Sequence, residues 1–95
     1  TEDDHIRKDV IMRIMCDMGV EKLPIEERYG IRFDEYFADA LVKLKPLEED
    51  DLVIVEPDRI VVNGMGRLVV RNIAMCFDAY IDKMIQEKPI FSRTV

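Results

Sequence analysis

Apolar residues recur at helical spacing through the first half of the chain and give way to β-branched runs near its middle. Between residues 6 and 18 the apolar positions lie three or four apart, with acidic residues before them and Gly19 after them. Acidic side chains favour the positive end of a helix dipole, and glycine favours a helix end. The pattern therefore predicts a first helix over residues 3–18.

Two more helices are predicted before residue 47. Pro24 suits the first position of a short second helix, which Gly30 ends. A third helix follows from residue 33 to residue 44, because its apolar residues form a complete amphipathic stripe, and Pro46 is expected to close it. That stripe consists of Phe33, Tyr36, Phe37, Ala40, Leu41 and Leu44.

The second half of the chain predicts a β-hairpin and then a long helix. Residues 52–55 and 60–62 are β-branched runs, and the Glu56-Pro57-Asp58-Arg59 segment between them suits a type I turn. Asn63 is a candidate cap for a last helix over residues 66–87, which Pro89 ends. This helix is apolar around most of its girth, so we expect packing partners on two sides. Its narrow polar stripe carries Arg67, Arg71, Asp78 and Asp82.

The predicted fold class is mainly α with a small β-hairpin, in the order helix, short helix, helix, hairpin, long helix. This is the order of a winged-helix-like domain, and 95 residues suffice for one such domain over residues 1–95. The third helix would take the position that reads DNA, but it carries Asp34, Glu35 and Asp39 against Lys43 and Lys45. A net negative helix does not suit a DNA groove, so the fold class does not bring that function with it.

The charge of the chain argues against several classes of partner. The net charge is −6, whereas binding to nucleic acid or to an anionic membrane surface requires clustered positive charge. No apolar run exceeds five residues, which is too short to span a membrane. No secretory leader is visible, and only two cysteines occur, so we expect a reducing cytoplasmic location.

Both cysteines lie in apolar helical patterns, and Cys16 and Cys76 are therefore predicted to be buried structural thiols. The single histidine, His5, cannot complete a zinc site with them. The residues themselves thus predict no metal or cofactor site in this chain.

Several segments resemble one known family. They include Asp4-His5-Ile6-Arg7-Lys8-Asp9-Val10-Ile11, Tyr36-Phe37-Ala38-Asp39, Leu44-Lys45-Pro46-Leu47, Asp51-Leu52-Val53 and the chain end Phe91-Ser92-Arg93-Thr94-Val95. The most specific is Gly66-Arg67-Leu68-Val69-Val70-Arg71-Asn72-Ile73-Ala74-Met75-Cys76-Phe77-Asp78. Together they resemble the C-terminal domain of the oxygen-independent coproporphyrinogen III oxidases, the HemN family of radical S-adenosylmethionine enzymes in haem biosynthesis. One departure is Asn63-Gly64-Met65, where the family commonly has Thr-Pro and a basic residue.

The resemblance implies an accessory domain of a larger oxidoreductase. In that family, coproporphyrinogen III is oxidatively decarboxylated to protoporphyrinogen IX without oxygen, through a radical formed from S-adenosyl-L-methionine at a [4Fe–4S] cluster. The family's cluster cysteines form a CxxxCxC motif in an N-terminal radical SAM barrel. Cys16 and Cys76 cannot match that spacing, so this chain alone is predicted to hold no cofactor and to be inactive. It is expected to pack on the barrel and help to enclose the substrate.

The candidate contact residues are Arg67 and Arg71, one turn apart near the start of the predicted last helix. Guanidinium groups bind carboxylates bidentately, and the family's substrate is a tetracarboxylate. The pair is therefore predicted to contact the substrate or the neighbouring domain, unless it forms ion pairs within the domain itself.

Two alternatives remain open: a winged-helix-like protein-interaction module, and the C-terminal part of a haem-trafficking radical SAM homologue. A CxxxCxC motif upstream in the full gene would settle the class. The methionines, among them Met12, Met18, Met75 and Met84, also suggest an apolar patch through which the excised domain would dimerise weakly.

Overall fold

A computed structural model describes residues 1–78, in which helices surround one face of a small antiparallel sheet. The helices are α1 (Glu2–Asp17), α2 (Lys22–Tyr29), α3 (Phe33–Tyr36), α4 (Ala38–Glu49), a 3₁₀ helix (Gly64–Val69) and α5 (Val70–Met75). The strands are β1 (Gly19–Glu21), β2 (Val53–Val55) and β3 (Arg59–Val62), in the order β1-β3-β2. The predicted fold class, mainly helical with a small hairpin, is confirmed. Residues 79–95, with the rest of the predicted last helix, Asp82, Met84 and the closing string, lie outside the described residues.

The first two helices follow the sequence closely. The Thr1 hydroxyl accepts a hydrogen bond from the Asp4 N–H at 3.2 Å, which begins α1, and Met18 ends it in the left-handed conformation with φ 59°. The α2 helix begins two residues before Pro24, at Lys22, and Gly30 closes it with φ 66°. Among the ends of these two helices, only the start of α2 lies more than one residue from its predicted position.

The predicted third helix is wrong in two respects. It is broken at Phe37, where φ is −106° and ψ is 30°, and it continues through Pro46 to Glu49. Phe33 before the break and Phe37 at the break are both buried, with ring centroids 4.8 Å apart. Pro46 removes the hydrogen bond that would reach the Val42 carbonyl, but Val42 is 62% exposed, so water can serve that carbonyl.

The sheet contains a strand that the sequence pattern does not reveal. The hairpin of β2 and β3 is confirmed, with the Glu56 N–H donating to the Arg59 carbonyl at 2.8 Å across its turn. The three residues of β1 pair with the other edge of β3. A Cβ on Gly19 would lie 2.7 Å from the Ile60 carbonyl oxygen, so glycine permits this close approach.

The core lies between the sheet and the helices and is dominated by aromatic rings. Phe33, Phe37 and Phe77 are fully buried, and Phe37 and Phe77 meet edge to face with centroids 5.3 Å apart. The prediction that Cys16 is buried is wrong, because it lies on the exposed side of α1. Cys76 is half-buried against the core, and its thiol lies 3.5 Å from the Asn72 carbonyl oxygen.

Two further properties of the described residues bear on function. Within residues 1–78, no helix is long and apolar enough to cross a membrane. In the same part of the chain, no three His, Cys, Asp or Glu side chains come together as metal ligands.

Candidate functional site

The segment after β3 is held tightly against the body of the domain. Gly66 is buried, and a Cβ there would lie 1.9 Å from the Leu52 carbonyl oxygen and 3.1 Å from Cγ1 of Val62. The Asn63 N–H also donates to the Leu52 carbonyl at 3.0 Å. Only glycine fits at position 66 without displacing this backbone, which gives the glycine at the head of the most specific string a physical reason.

This packing gives the predicted last helix a different start. Residues 64–69 form a 3₁₀ helix, and the α-helical conformation begins only at Val70. The Asn63 side chain does not cap it; its amide instead donates to the Asp51 carbonyl at 3.0 Å. The prediction of one α-helix over residues 66–87 is therefore wrong at its beginning, and it is also wrong after Met75, where α5 ends. The close contact of Gly66 with the Leu52 backbone lies within the 3₁₀ segment.

The residues around Gly66 form an exposed surface, which we call the 64–72 surface: Met65, Arg67, Leu68, Arg71 and Asn72. Met65 is 68% exposed and Leu68 is 79% exposed, the two highest values among the large apolar residues in the described part of the chain. By contrast, Val69, Val70 and Ile73 pack on the core. Some apolar residues of this segment thus pack in the core, whereas others at similar spacing lie in solvent.

Both sequence-predicted site residues lie on this surface. Arg67 is in the 3₁₀ helix and Arg71 is in the first turn of α5, and both are exposed. Their spacing is therefore not that of one continuous α-helix. Neither guanidinium has a hydrogen bond or an ion pair with any residue in 1–78, so the pairing within the domain that the sequence left open is not found there.

The other arginines of residues 1–78 are all paired with carboxylates. The closest contacts are Arg13 with Asp9 at 2.8 Å and Arg7 with Asp3 at 3.0 Å. Arg28, Arg32 and Arg59 pair with Asp9, Glu35 and Glu56, respectively. The 64–72 surface differs from the rest of residues 1–78 because it combines exposed apolar residues with two arginines that have no partner in that range.

Asp9 is the centre of a polar cluster that ties α1 to α2. It accepts hydrogen bonds from the Tyr29 hydroxyl at 2.7 Å and from Nε of Arg13 at 2.8 Å. Burial alone would raise the pKa of Asp9, but these hydrogen bonds and the charges of Arg13 and Arg28 outweigh it and lower the pKa. The bond to Asp9 raises the pKa of Tyr29. The cluster therefore joins the two helices through Asp9.

A second cluster joins α1 to the ends of α3 and α5. Asp3 accepts hydrogen bonds from Arg7 and from the Tyr36 hydroxyl, and Nη1 of Arg7 donates to the Phe77 carbonyl at 3.2 Å. Burial, followed by the bond to Asp3, raises the pKa of Tyr36 to about 12. Sequence spacing could not reveal this cluster, because its members come from three separate elements.

Two open grooves lie on the hairpin side of the domain. One, of about 290 Å³, is lined by residues of α1, β1 and β3, among them Arg13 and Arg59. The other, of about 620 Å³, lies between α2 and the hairpin turn and includes Lys22 and Pro57. The cations in both grooves are paired, as Lys22 is with Asp34 at 2.8 Å. Neither groove is lined by the 64–72 surface.

Comparisons with known proteins agree with one another. The sequence model of the HemN C-terminal domain family matches residues 1–69. Oxygen-independent coproporphyrinogen III oxidases from Salmonella typhimurium and Escherichia coli are 42% identical over the whole of this chain. The protein from Thermostichus vulcanus is 39% identical over 87% of it. This chain spans 21% of the length of the first two relatives and 26% of the third.

A solved structure extends the likeness to three dimensions. It is described as coproporphyrinogen III oxidase (HemN) from Escherichia coli, a radical SAM enzyme. The TM-score is 0.83 and the identity 46%, over 84% of this chain and 18% of that one. At this identity, the likeness concerns the sequence as well as the fold.

Proposed function

The chain belongs to the HemN C-terminal domain family, and from this premise we propose that it is the C-terminal domain of an oxygen-independent coproporphyrinogen III oxidase. In such an enzyme it would be an accessory domain of a cytoplasmic oxidoreductase, which converts coproporphyrinogen III to protoporphyrinogen IX. Its main partner would be the N-terminal radical SAM barrel of the same polypeptide, against which it would help to enclose the substrate. The relatives named for this activity match the whole chain at 42% identity, which supports the assignment.

The radical chemistry is assigned to the other part of the polypeptide. A [4Fe–4S] cluster is held by cysteine thiolates, typically in a closely spaced motif. Here Cys16 is exposed on α1, whereas Cys76 is half-buried near the end of α5 and lies beside the Asn72 carbonyl. These residues do not fit an iron–sulfur cluster. The domain's contribution is therefore binding and positioning rather than the bond-breaking step.

The observation that carries a binding role is the 64–72 surface. Exposed apolar side chains coincide there with two guanidinium groups that have no partner within residues 1–78, whereas the other arginines of that part are paired. A domain of charge −6 repels a tetracarboxylate unless positive charge faces it. We therefore assign Arg67 and Arg71 to contacts outside this domain, with substrate carboxylates or with the barrel.

A winged-helix-like description fits the order of the helices and of the β2–β3 hairpin, but nucleic acid is not proposed as a partner. The helix in the recognition position is α4, and the exposed residues around it include Asp39 and the acidic run from Glu48 to Asp51. Clustered negative charge repels the phosphate backbone.

A chimeric enzyme tests this function. The C-terminal domain of the Escherichia coli enzyme is replaced by this chain, and anaerobic conversion of coproporphyrinogen III is measured beside the same enzyme without a C-terminal domain. We expect conversion by the chimera, little by the truncated form, and none by this chain alone. A folded chimera that holds its cluster but remains inactive would contradict the proposal, as would stoichiometric uptake of a cluster by this chain.

A further inference from the structure

We propose that the 64–72 surface is the docking element of the domain, and that Leu68 and Met65 enter an apolar depression on the folded N-terminal part of the same polypeptide. Arg67 and Arg71 would pair with carboxylates at the edge of that depression. The inference rests on the proposed function, because it requires the N-terminal part that the relatives carry. It selects the neighbouring domain, and not the porphyrinogen, as the occupant of this surface.

The shape of the surface favours a protein over a small molecule. Sites for small molecules are concave and bury most of the ligand, whereas Leu68 is 79% exposed and Met65 is 68% exposed on a protruding turn. The two grooves described above lie on the hairpin side and include no residue of this surface. Apolar side chains as exposed as these are covered most completely by a complementary protein surface.

The 64–72 surface is also held in place, before any binding, by its packing against the rest of the domain. Gly66 sits against the Leu52 carbonyl, and Asn63 bonds to the backbone at Leu52 and Asp51. A surface that is already rigid loses little conformational entropy when it is covered. Methionine and arginine, moreover, are enriched at protein interfaces relative to the rest of the surface. Rigidity and composition thus both suit an interface between domains.

Charge identifies the kind of surface that would receive the turn. Arginine side chains elsewhere in residues 1–78 have carboxylate partners, and Arg67 and Arg71 have none there, although the chain carries 20 acidic residues. Both guanidinium groups are therefore free, as far as residues 1–78 are concerned, to pair with carboxylates outside this part of the molecule. The relatives are about five times as long as this chain, so most of each polypeptide is available to supply them.

Cysteine labelling in the full-length protein tests the docking. The test compares Leu68→Cys with the control Val42→Cys, which replaces an aliphatic residue of 62% exposure on α4. Both variants are treated with a maleimide. Mass spectrometry then distinguishes the peptide labelled at the introduced cysteine from the peptide labelled at Cys16. Each rate is divided by the rate for the same variant after unfolding. We expect Leu68→Cys to be slowed about tenfold or more relative to Val42→Cys, without substrate and at every protein concentration.

Three results would overturn the inference. Equal normalised rates for the two variants would show that the surface is open. Protection only after addition of coproporphyrinogen III would assign it to the substrate, and protection that grows with protein concentration would assign it to a second copy. Conversion of coproporphyrinogen III by the unsubstituted protein is measured separately. An inactive protein with a protected Leu68→Cys would reject the proposed function and leave the docking intact.

Discussion

The aromatic core and the 64–72 surface use similar residue types in opposite ways. In the core, Phe33, Phe37 and Phe77 are fully buried, and the nearby Arg7 is bonded to Asp3 and to the Phe77 carbonyl. On the 64–72 surface, Leu68 is exposed and Arg71 has no partner within residues 1–78. The first region makes the domain stable, and the second is available for contacts beyond it. Apolar and cationic residues therefore acquire a role from their surroundings rather than from their type.

The largest expected difference between the two regions is in stability. Phe37→Ala should lower the free energy of unfolding of the chain by about 3–5 kcal/mol, because it leaves a cavity among packed rings. Leu68→Ala should change it by less than about 0.5 kcal/mol, because the side chain is in solvent. Urea unfolding of both variants measures this. Similar losses of unfolding free energy in the two variants would mean that Leu68 belongs to the core, and would contradict the contrast between the two regions.

The junction between the two regions is Gly66, and here a smaller effect is expected. Gly66→Ala should cost about 1–3 kcal/mol, because its Cβ would meet the Leu52 backbone, which cannot move as a side chain can. Gly64→Ala is the matched control, since nothing lies within 4 Å of its added Cβ. Thermal unfolding compares the two variants. Equal stability of the Gly66→Ala and Gly64→Ala chains would show that the turn is not held by this contact.

The polar cluster at Asp9 predicts a pH-dependent contribution to the stability of the fold, which the 64–72 surface should lack. Tyr29→Phe should cost about 1 kcal/mol near neutral pH, by removing one hydrogen bond to the carboxylate. The lowered pKa of Asp9 stabilises the fold above its ordinary value of 3.8, and this stabilisation is lost as the pH falls through the lower folded value. The raised pKa of Tyr29 stabilises the fold below 10.0 and ceases to do so as the pH rises through the higher folded value.

The difference in unfolding free energy between the unsubstituted chain and Tyr29→Phe should therefore be largest between these two pH limits. It should shrink at both acid and alkaline pH. Unfolding free energies across the pH range measure it. A difference that stays constant from acid to alkali would show that the hydrogen bond does not couple to the ionisation of either group.

The smallest effect on stability is expected at Arg71. Arg71→Ala should change the unfolding free energy of the chain by no more than about 0.5 kcal/mol, because no partner within residues 1–78 is lost. Arg7→Ala is the control and should cost about 1.5–3 kcal/mol, since it removes charge-assisted hydrogen bonds. A large loss at Arg71 would identify it as a structural residue.

In the proposed full-length enzyme, the same Arg71→Ala substitution separates two roles. A selective rise in KM for coproporphyrinogen III would support contact with the substrate. An unchanged KM with a lower unfolding midpoint of the whole protein would support contact between domains. Kinetics and stability therefore need to be measured on the same preparation.

Periodicity predicts the elements whose apolar residues all face one side. The stripe of α1 can be found in this way, because burial on one face leaves a regular trace in the sequence. The short α2 is found instead from Pro24 and Gly30, and the two strands of the hairpin from their β-branched runs. The β1 strand leaves no such trace, since three residues are too few to show alternation. The break at Phe37 is also hidden, because the residues on both sides of it are buried.

The candidate site can be predicted only in part. Arg67 and Arg71 are conspicuous by their charge on an apolar segment, and the structure places both on the exposed 64–72 surface. The sequence pattern assigns Leu68 to the apolar side of the last helix, because an exposed leucine at helical spacing cannot be distinguished from a buried one. Leu68 lies in a 3₁₀ segment that also contains the contact between Gly66 and Leu52, and a contact between residues fourteen positions apart leaves no trace in the local pattern.

The central place of β3 in the sheet has a consequence for how the chain folds as it is synthesised. Val61 pairs with Ile54 in the hairpin but also with Gly19, which lies more than forty residues earlier. The hairpin can close locally, whereas β1 must wait until β3 has emerged from the ribosome, and that longer loop closes more slowly. The apolar side of α1 also packs on α5, so it stays partly uncovered until Val70–Met75 has appeared as well. The nascent chain is therefore most open to chaperones, and to misassembly, in the interval before residue 75 appears.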